Sequence, residues 1–394
     1  VAKKTIRELD LAGKRVFVRV DFNVPQDGPG GILDDTKIRA ALPTIRYLLD
    51  HGAAVILASH LGRPKGRVQE NLRLDAIGRR VAELLGRDVQ KTCEVVGETV
   101  TAAAAALQPG RILLLENVRF HPGEEKNDPE LARAYAGLAE IFVSDAFGTA
   151  HRAHASNVGI AAFLPAVAGL LLAEEVTNLD KALHNPDRPL VAVAGGNKVA
   201  DKIGILKNLL HKAESLLLGG GMANTFLYAK GCRLGRSKLE ESSLAEATAL
   251  IAAAADHAVN LCLPVDVVVA GEAAPGAQAE VVPVDAIPPD KMALDIGPAT
   301  RRRYSEIING AGTVIWNGPL GVYEIEQFAA GTNAIARAIA ASAAFSIVAG
   351  GDAVAAAEKA GVAAQISHLS TGGGATLEYW EGKQLPGIAV LADN

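Results

Sequence analysis

Four arginines in the first half of the chain, Arg39, Arg63, Arg119 and Arg152, occupy positions where charge can meet a ligand. Arg63 and Arg119 follow apolar runs, Arg152 lies in "AHRAH", and Arg39 falls early in a segment of helical period. Asp21 and Asn23 in "VDFNVP" and His60 in "SHLGRPKG" stand at similar points. Guanidinium groups match carboxylate and phosphate in a forked geometry, and each charge-assisted hydrogen bond contributes roughly 1.5 to 3 kcal/mol. The set therefore suits a small, multiply charged anion, with Asp21 and Asn23 holding a hydroxyl and His60 forming a hydrogen-bonding wall. The same arginines also fit solvated positions paired with Glu116, Glu124 and Glu125. His151 and His154 flank Arg152, but no third ligand stands at a matching spacing, so no metal site is expected there.

The second half carries a different chemistry. In "AGGNKVADKIG" (194–204), Lys198 and Lys202 are four residues apart; on a helix they share one face, and both ammonium groups can reach one polyphosphate. Two lysines on a solvated face fit the same spacing. Glu324 in "NGPLGVYE" suits the two hydroxyls of a ribose, and Asp352 in "AGGDA" suits Mg²⁺, which takes one or two carboxylates beside substrate phosphates. Either acid also fits an ordinary turn or helix cap. In "HLSTGGGATLE" (368–378), Ser370 or Thr371 is placed to cap a helix whose first residues, Gly372, Gly373 and Gly374, expose bare amides to an anion.

These residues need elements that hold them at shared edges. Runs at 15–22, 54–60, 111–117 and 141–147 read as buried parallel strands separated by helical segments. Ile38, Ala41, Leu42, Ile45, Leu48 and Leu49 fall on one helical face, with Pro43 expected to kink or distort that helix. A second strand series is expected at 189–196, 215–220, 261–270, 313–318, 345–351 and 365–370. Between the series, 169–189 reads as a helix stopped by Asn185, Pro186 and Asp187. Ligands of open parallel sheets lie beyond the carboxyl ends of the strands, so two sites facing one cleft are expected.

With 394 residues, 49% of them hydrophobic, the chain has material for two cores. Forty glycines and 4% aromatics suit an α/β enzyme. A net charge of −5 supplies no global basic field, which argues against nucleic acid or an anionic membrane as partner. Cys93, Cys232 and Cys262 show neither disulfide nor zinc spacing, and the N-terminus lacks the apolar core of a signal peptide; a cytoplasmic enzyme is expected. GxxxxGK[ST], GxGxxG after a strand and the protein-kinase motifs are absent, so the common nucleotide signatures do not explain the lysines.

"RVDFNVP", "SHLGRPKG", "LLENVRFHPGEEKND", "DAFGTAHRAHAS", "LDIGP", "WNGPLGVYE" and "HLSTGGGATLEYWEGKQLPG" together resemble the phosphoglycerate kinase family over essentially the whole chain. The resemblance implies two Rossmann-like parallel-sheet domains joined by a long helix, with an open cleft between them. Expected boundaries are 1–170 for a glycerate domain, 171–188 for the helix and hinge, 189–374 for a nucleotide domain, and 375–394 for a segment returning to the first. It implies phosphoryl transfer from 1,3-bisphosphoglycerate to ADP, giving 3-phosphoglycerate and ATP in glycolysis, with Mg²⁺ accompanying the nucleotide. Carried over by motif, Asp21, Phe22, Asn23, Arg39, His60, Leu61, Gly62, Arg63, Arg119 and Arg152 bind the glycerate. Lys198, Lys202, Ala293, Glu324, Gly350, Gly351, Asp352 and Ala353 bind nucleotide, Asp352 through the metal. Arg39, Lys198 and Gly372 to Gly374 act on the migrating group. Asn197, Ala293 and Ala353 depart from frequent family residues and put a phosphate contact and the fit of the base in question. The resemblance also suggests a monomer.

Overall fold

The computed structural model describes residues 3–28 and 30–394. The chain divides into two compact units, one running to Thr177 and including Gln384–Asn394, the other Asn178–Lys383.

The first unit is built on six strands: β1 (Arg15–Val20), β2 (Ala54–Ala58), β3 (Val89–Lys91), β4 (Ile112–Leu114), β5 (Ile141–Asp145) and β6 (Ala166–Ala168). Their order is β3-β4-β2-β1-β5-β6 and every pairing is parallel. Helices covering both faces of such a sheet leave its strands without a wet side, which is why β2 and β4 read as unbroken apolar runs and why β5 is buried throughout, Ser144 and Asp145 at its end included. The β1–β2 crossover is the Thr36–Asp50 helix, and the expected face from Ile38 to Leu49 is buried. That helix runs unbroken through Pro43, which lies exposed. β3 and β6 have three residues each, too few to show a period.

The second unit has a six-stranded parallel sheet of β7 (Leu190–Ala194), β8 (Ser215–Leu218), β9 (Asn260–Cys262), β13 (Thr313–Asn317), β14 (Phe345–Ala349) and β15 (His368–Ser370), in the order β15-β14-β13-β7-β8-β9. A second sheet of β10 (Asp266–Ala270), β11 (Glu280–Pro283) and β12 (Met292–Ile296) is antiparallel, ordered β11-β10-β12. The single strand expected over 261–270 is therefore two strands in two sheets. Pro264 between them has no N–H for a ladder, and the amides of Val265 and Asp266 donate instead to Thr300 Oγ1 at 3.0 and 3.2 Å.

The helix expected over 169–189 is Leu170–His184 and stops before Asn185 and Pro186. The division between units falls inside it, after Thr177, rather than giving 171–188 to a separate hinge. Asp145, the last residue of β5, caps its start: Oδ1 accepts from the amides of Leu171 and Leu172 at 3.0 and 3.2 Å. The returning tail begins at Gln384, not at 375. Residues 375–383 stay with the second unit, where Asn208 Nδ2 donates to the carbonyl of Trp380 at 2.7 Å. In the first unit, Gly387 N donates to Ala150 O at 2.8 Å and Ala392 N to Ala166 O at 2.9 Å.

Candidate functional sites

In the first unit β1 and β2 are neighbours, so the residues beyond their ends emerge side by side. Asp21 Oδ1 accepts from the amide of Asn23 at 3.1 Å, and Asn23 Oδ1 accepts from Gly62 N at 2.8 Å, tying the two loops together. Arg119 Nη1 donates to Gly62 O at 3.0 Å, so a guanidinium from the loop after β4 is fixed beside them. Asp21, Asn23, Gly62 and Arg119 thus form one bonded cluster. Phe22 and Leu61 have buried side chains and present only backbone. Arg63 and Arg152 are exposed; the charge of Arg152 is near enough to Arg119 to weaken its hold on a proton, after burial and Arg19 among the causes. Arg39 is tied to Asp35 at 2.8 Å, an acid that also receives Arg80.

Of the acids considered as partners, Glu125 meets Arg119 at 3.5 Å. Glu116 is taken by Arg73 and Lys91, and Glu124 accepts from the hydroxyl of Ser156 at 2.5 Å. Beneath the cluster lies a residue the sequence reading passed over. Arg19 is buried in β1, donates Nε to Ser156 Oγ at 2.8 Å and places Nη2 3.2 Å from His60 Nδ1. Burial, followed by the Arg19 charge, keeps His60 well below the usual imidazole range. A neutral ring accepting at Nδ1 carries its proton on Nε2, so His60 serves as a donor. Lys37, also passed over, pairs with Asp21 at 2.8 Å. The signal for Arg19 was available: a charge inside the apolar alternation "RVFVRV" must find buried partners.

In the second unit a cavity of about 410 Å³ opens among the strand ends, lined by Asn197, Lys238, Ala293, Glu324 and Asp352, with Gly220 and Gly221 on one wall. Glu324, Asp352 and Ala293 are thereby brought together. Lys198 and Lys202 do not share a helical face, because the helix begins only at Ile203. Lys198 is exposed in an irregular turn that follows Gly196, whose φ of +100° is open to glycine at little cost. The Lys202 ammonium donates to Gly195 O at 2.7 Å and Asn317 O at 2.8 Å, joining the ends of β7 and β13. Burial brings its pKa down to about 8, against the pull of Asp352 and Asp201.

Gly350 has φ of +91°, and an added Cβ would lie 2.6 Å from Asn317 Nδ2, so the turn before Asp352 needs glycine. Gly351 opens the helix Gly351–Lys359 with Asp352 exposed in its first turn. The Ala353 methyl is buried in the core, leaving backbone alone for a ligand. Gly372 to Gly374 also differ from expectation. Gly373 is the N-cap of a helix running Gly374–Trp380, and Ser370 does not cap it. Its hydroxyl accepts from Gly372 N at 3.2 Å and lies 2.6 Å from Thr376 Oγ1, so the Gly372 amide is already engaged. Among the described residues no three His, Cys, Asp or Glu side chains gather as a metal cluster, and no helix is long and apolar enough to cross a membrane.

The family profile for phosphoglycerate kinase matches residues 6–383. A curated phosphoglycerate kinase of Moorella thermoacetica is 58% identical over 393 residues, covering 100% of both chains. One of Chloroflexus aurantiacus is 56% identical over 396 residues, covering 99% of both. The solved structure of phosphoglycerate kinase from Coxiella burnetii superposes with a TM-score of 0.92 at 44% identity, covering 98% of each chain. That from Pyrococcus horikoshii gives 0.81 at 32% identity, with the same coverage.

Proposed function

The chain belongs to the phosphoglycerate kinase family, enzymes of the glycolytic transfer between an acyl phosphate and a nucleoside diphosphate, and we propose that it performs that transfer directly, in one in-line step. The carrying observation is that chemistry-bearing residues gather beyond the carboxyl ends of both parallel sheets: a bonded Asp21–Asn23–Gly62–Arg119 cluster in one, a glycine-walled cavity with Glu324 and Asp352 in the other.

A β-phosphate oxygen of ADP attacks phosphorus of 1,3-bisphosphoglycerate. The bond to the acyl oxygen breaks, and the glycerate leaves as a carboxylate. Little covalent help is needed; the ligands must be held in line and the charge on three equatorial oxygens offset. Arg63, Arg119 and Arg152 hold the anionic ends of the glycerate, and Asp21 and Asn23 its hydroxyl, with His60 donating. Glu324 takes the ribose hydroxyls, Ala293 borders the base, and Lys202 and the Gly350–Ala353 backbone face the phosphates. Arg39 and Lys198 contact the migrating group, and the Gly373 and Gly374 amides add donors that Gly372 cannot. Asp352, one exposed carboxylate at the cavity, fits Mg²⁺, which prefers few protein ligands and several phosphate oxygens. Bound there with the nucleotide, the ion would neutralise phosphate charge. The two ligands bind to different units, so transfer requires motion about the Leu170–His184 helix that brings them together and excludes water. We read the enzyme as a cytoplasmic monomer, in keeping with its three free cysteines; a dimer mass in sedimentation would overturn the oligomeric part.

A coupled assay with ATP, Mg²⁺ and 3-phosphoglycerate tests the reading. ATP consumption strictly dependent on the glycerate is expected, with inversion at a chiral γ-phosphorus. No glycerate dependence would reject the activity, and retention would reject the single step.

A further inference from the structure

Lys198 sits where the chain is neither helix nor strand, between β7 and the Ile203–Leu209 helix, so other residues must set its course. Glu240 Oε2 accepts from the amide of Val199 at 2.5 Å and from that of Ala200 at 3.2 Å. One carboxylate oxygen thus closes on the two donors immediately after the lysine, and charge-assisted bonds of this kind are stronger than neutral ones. Val199 is wholly buried, so the turn is anchored by its side chain as well as its amide.

Glu240 is itself held in place. Its amide donates to Thr225 Oγ1 at 3.2 Å, and the carbonyl of Lys238, two residues before it, accepts from Asn224 Nδ2 at 3.1 Å. Asn224 and Thr225 are buried on the helix Gly220–Ala229. That helix also grips the start of the lysine turn, where Met222 N donates to Gly196 O at 2.8 Å. A continuous chain of contacts therefore runs from a packed helix through Glu240 to the backbone beside an exposed lysine.

We propose that Glu240 is a positioning residue for phosphoryl transfer, locking the Val199–Ala200 turn so that the Lys198 ammonium meets the migrating phosphate, without itself touching either substrate. The inference rests on the role given to Lys198 above. A long lysine side chain carries considerable rotamer freedom, and a loosened turn adds backbone freedom to it. Misplacement by about 1 Å can cost on the order of a hundredfold in rate.

The test is a kinetic cycle on the full chain, with melting and far-UV circular dichroism on every variant. Lys198→Ala is expected to lower kcat by about a hundredfold or more. Glu240→Ala and the shorter Glu240→Asp should each lower kcat by about tenfold or more with nucleotide KM within about threefold, since the contact matters most at the transition state. Glu240→Gln, whose carbonyl oxygen can accept both amides, should restore kcat to within about threefold of wild type. Lys198→Ala combined with Glu240→Asp should be no slower than Lys198→Ala alone, because two residues acting through one contact do not add. If Lys198→Ala is impaired while folded Glu240→Asp turns over like wild type, or if the losses multiply in the double variant, the inference falls alone. If Lys198→Ala keeps wild-type turnover, the role of Lys198 falls and the inference with it. Glu240→Ala need not fold for the outcome to be decided, since the Asp and Gln variants supply the loss and the rescue.

Discussion

At the residue scale, the charged groups divide by when their contacts strengthen. In the proposed mechanism Arg63 and Arg119 serve the bound glycerate equally before and during transfer, so replacing either by alanine should raise the glycerate KM about tenfold or more with a smaller change in kcat. An unchanged KM for both would remove them from the site. Arg39→Ala should instead lower kcat by about a hundredfold, and wild-type turnover in that variant would refute its role. Lys202 makes a pH prediction. Its pKa near 8 means that rising pH removes the charge, while the neutral amine still donates to Gly195 O and Asn317 O. kcat/KM for the nucleotide should therefore fall as pH rises through about 8, and a flat profile to pH 9.5 would contradict a phosphate role for this ammonium. These residues stand out in the sequence by type and spacing; of the acids expected as their partners, Glu125 meets Arg119. Asp35 stands four residues before Arg39, a spacing that pairs charges on a helix, whereas the identity of Arg19's partners, Ser156 and His60, could not be read because both are distant in sequence.

At the element scale, long and strongly patterned segments were readable and short or divided ones were not. The β1–helix–β2 unit followed from apolar period alone, whereas β3 and β6 are too short to carry one. The 261–270 run looked continuous because composition does not reveal that Pro264 passes the chain from one sheet to another. Lys198 and Lys202 misled for a related reason: a four-residue spacing marks one face only where a helix exists, and here the helix begins only at Ile203, after a stretch whose Val199 and Ala200 amides donate to Glu240. The same scale carries a stability prediction at Asp145, the buried cap of the Leu170–His184 helix. Burial raises its pKa to about 7 despite the bonds from Leu172 and Leu171. From about pH 4 to pH 7 the folded chain then holds a proton that the unfolded chain has lost, so this group's contribution to stability falls as pH rises. Asp145→Asn keeps an acceptor for both amides and has no proton to lose. Its melting temperature relative to wild type should become more favourable by several degrees between pH 5 and pH 8. A constant difference would show that Asp145 does not titrate in that window.

At the scale of the whole molecule, the sequence announced two sheets and a linking helix, and both sheets are present with parallel order. The division inside the helix at Thr177 and the late return at Gln384 were not readable, because they depend on which contacts the chain makes and not on its local pattern. Each unit gathers its own set of polar groups, the Asp21–Asn23–Gly62–Arg119 cluster in one and a cavity with Glu324 and Asp352 in the other, and the proposed function assigns the glycerate to the first and the nucleotide to the second. With the two ligands so assigned, the proposed transfer requires that the halves approach when both are loaded. Small-angle scattering of the free enzyme, of each binary complex and of the complex with 3-phosphoglycerate and Mg-nucleotide together tests this most directly. The radius of gyration should be smallest with both ligands and smaller than with either alone. An identical radius in all four states, in an enzyme that turns over normally, would contradict it.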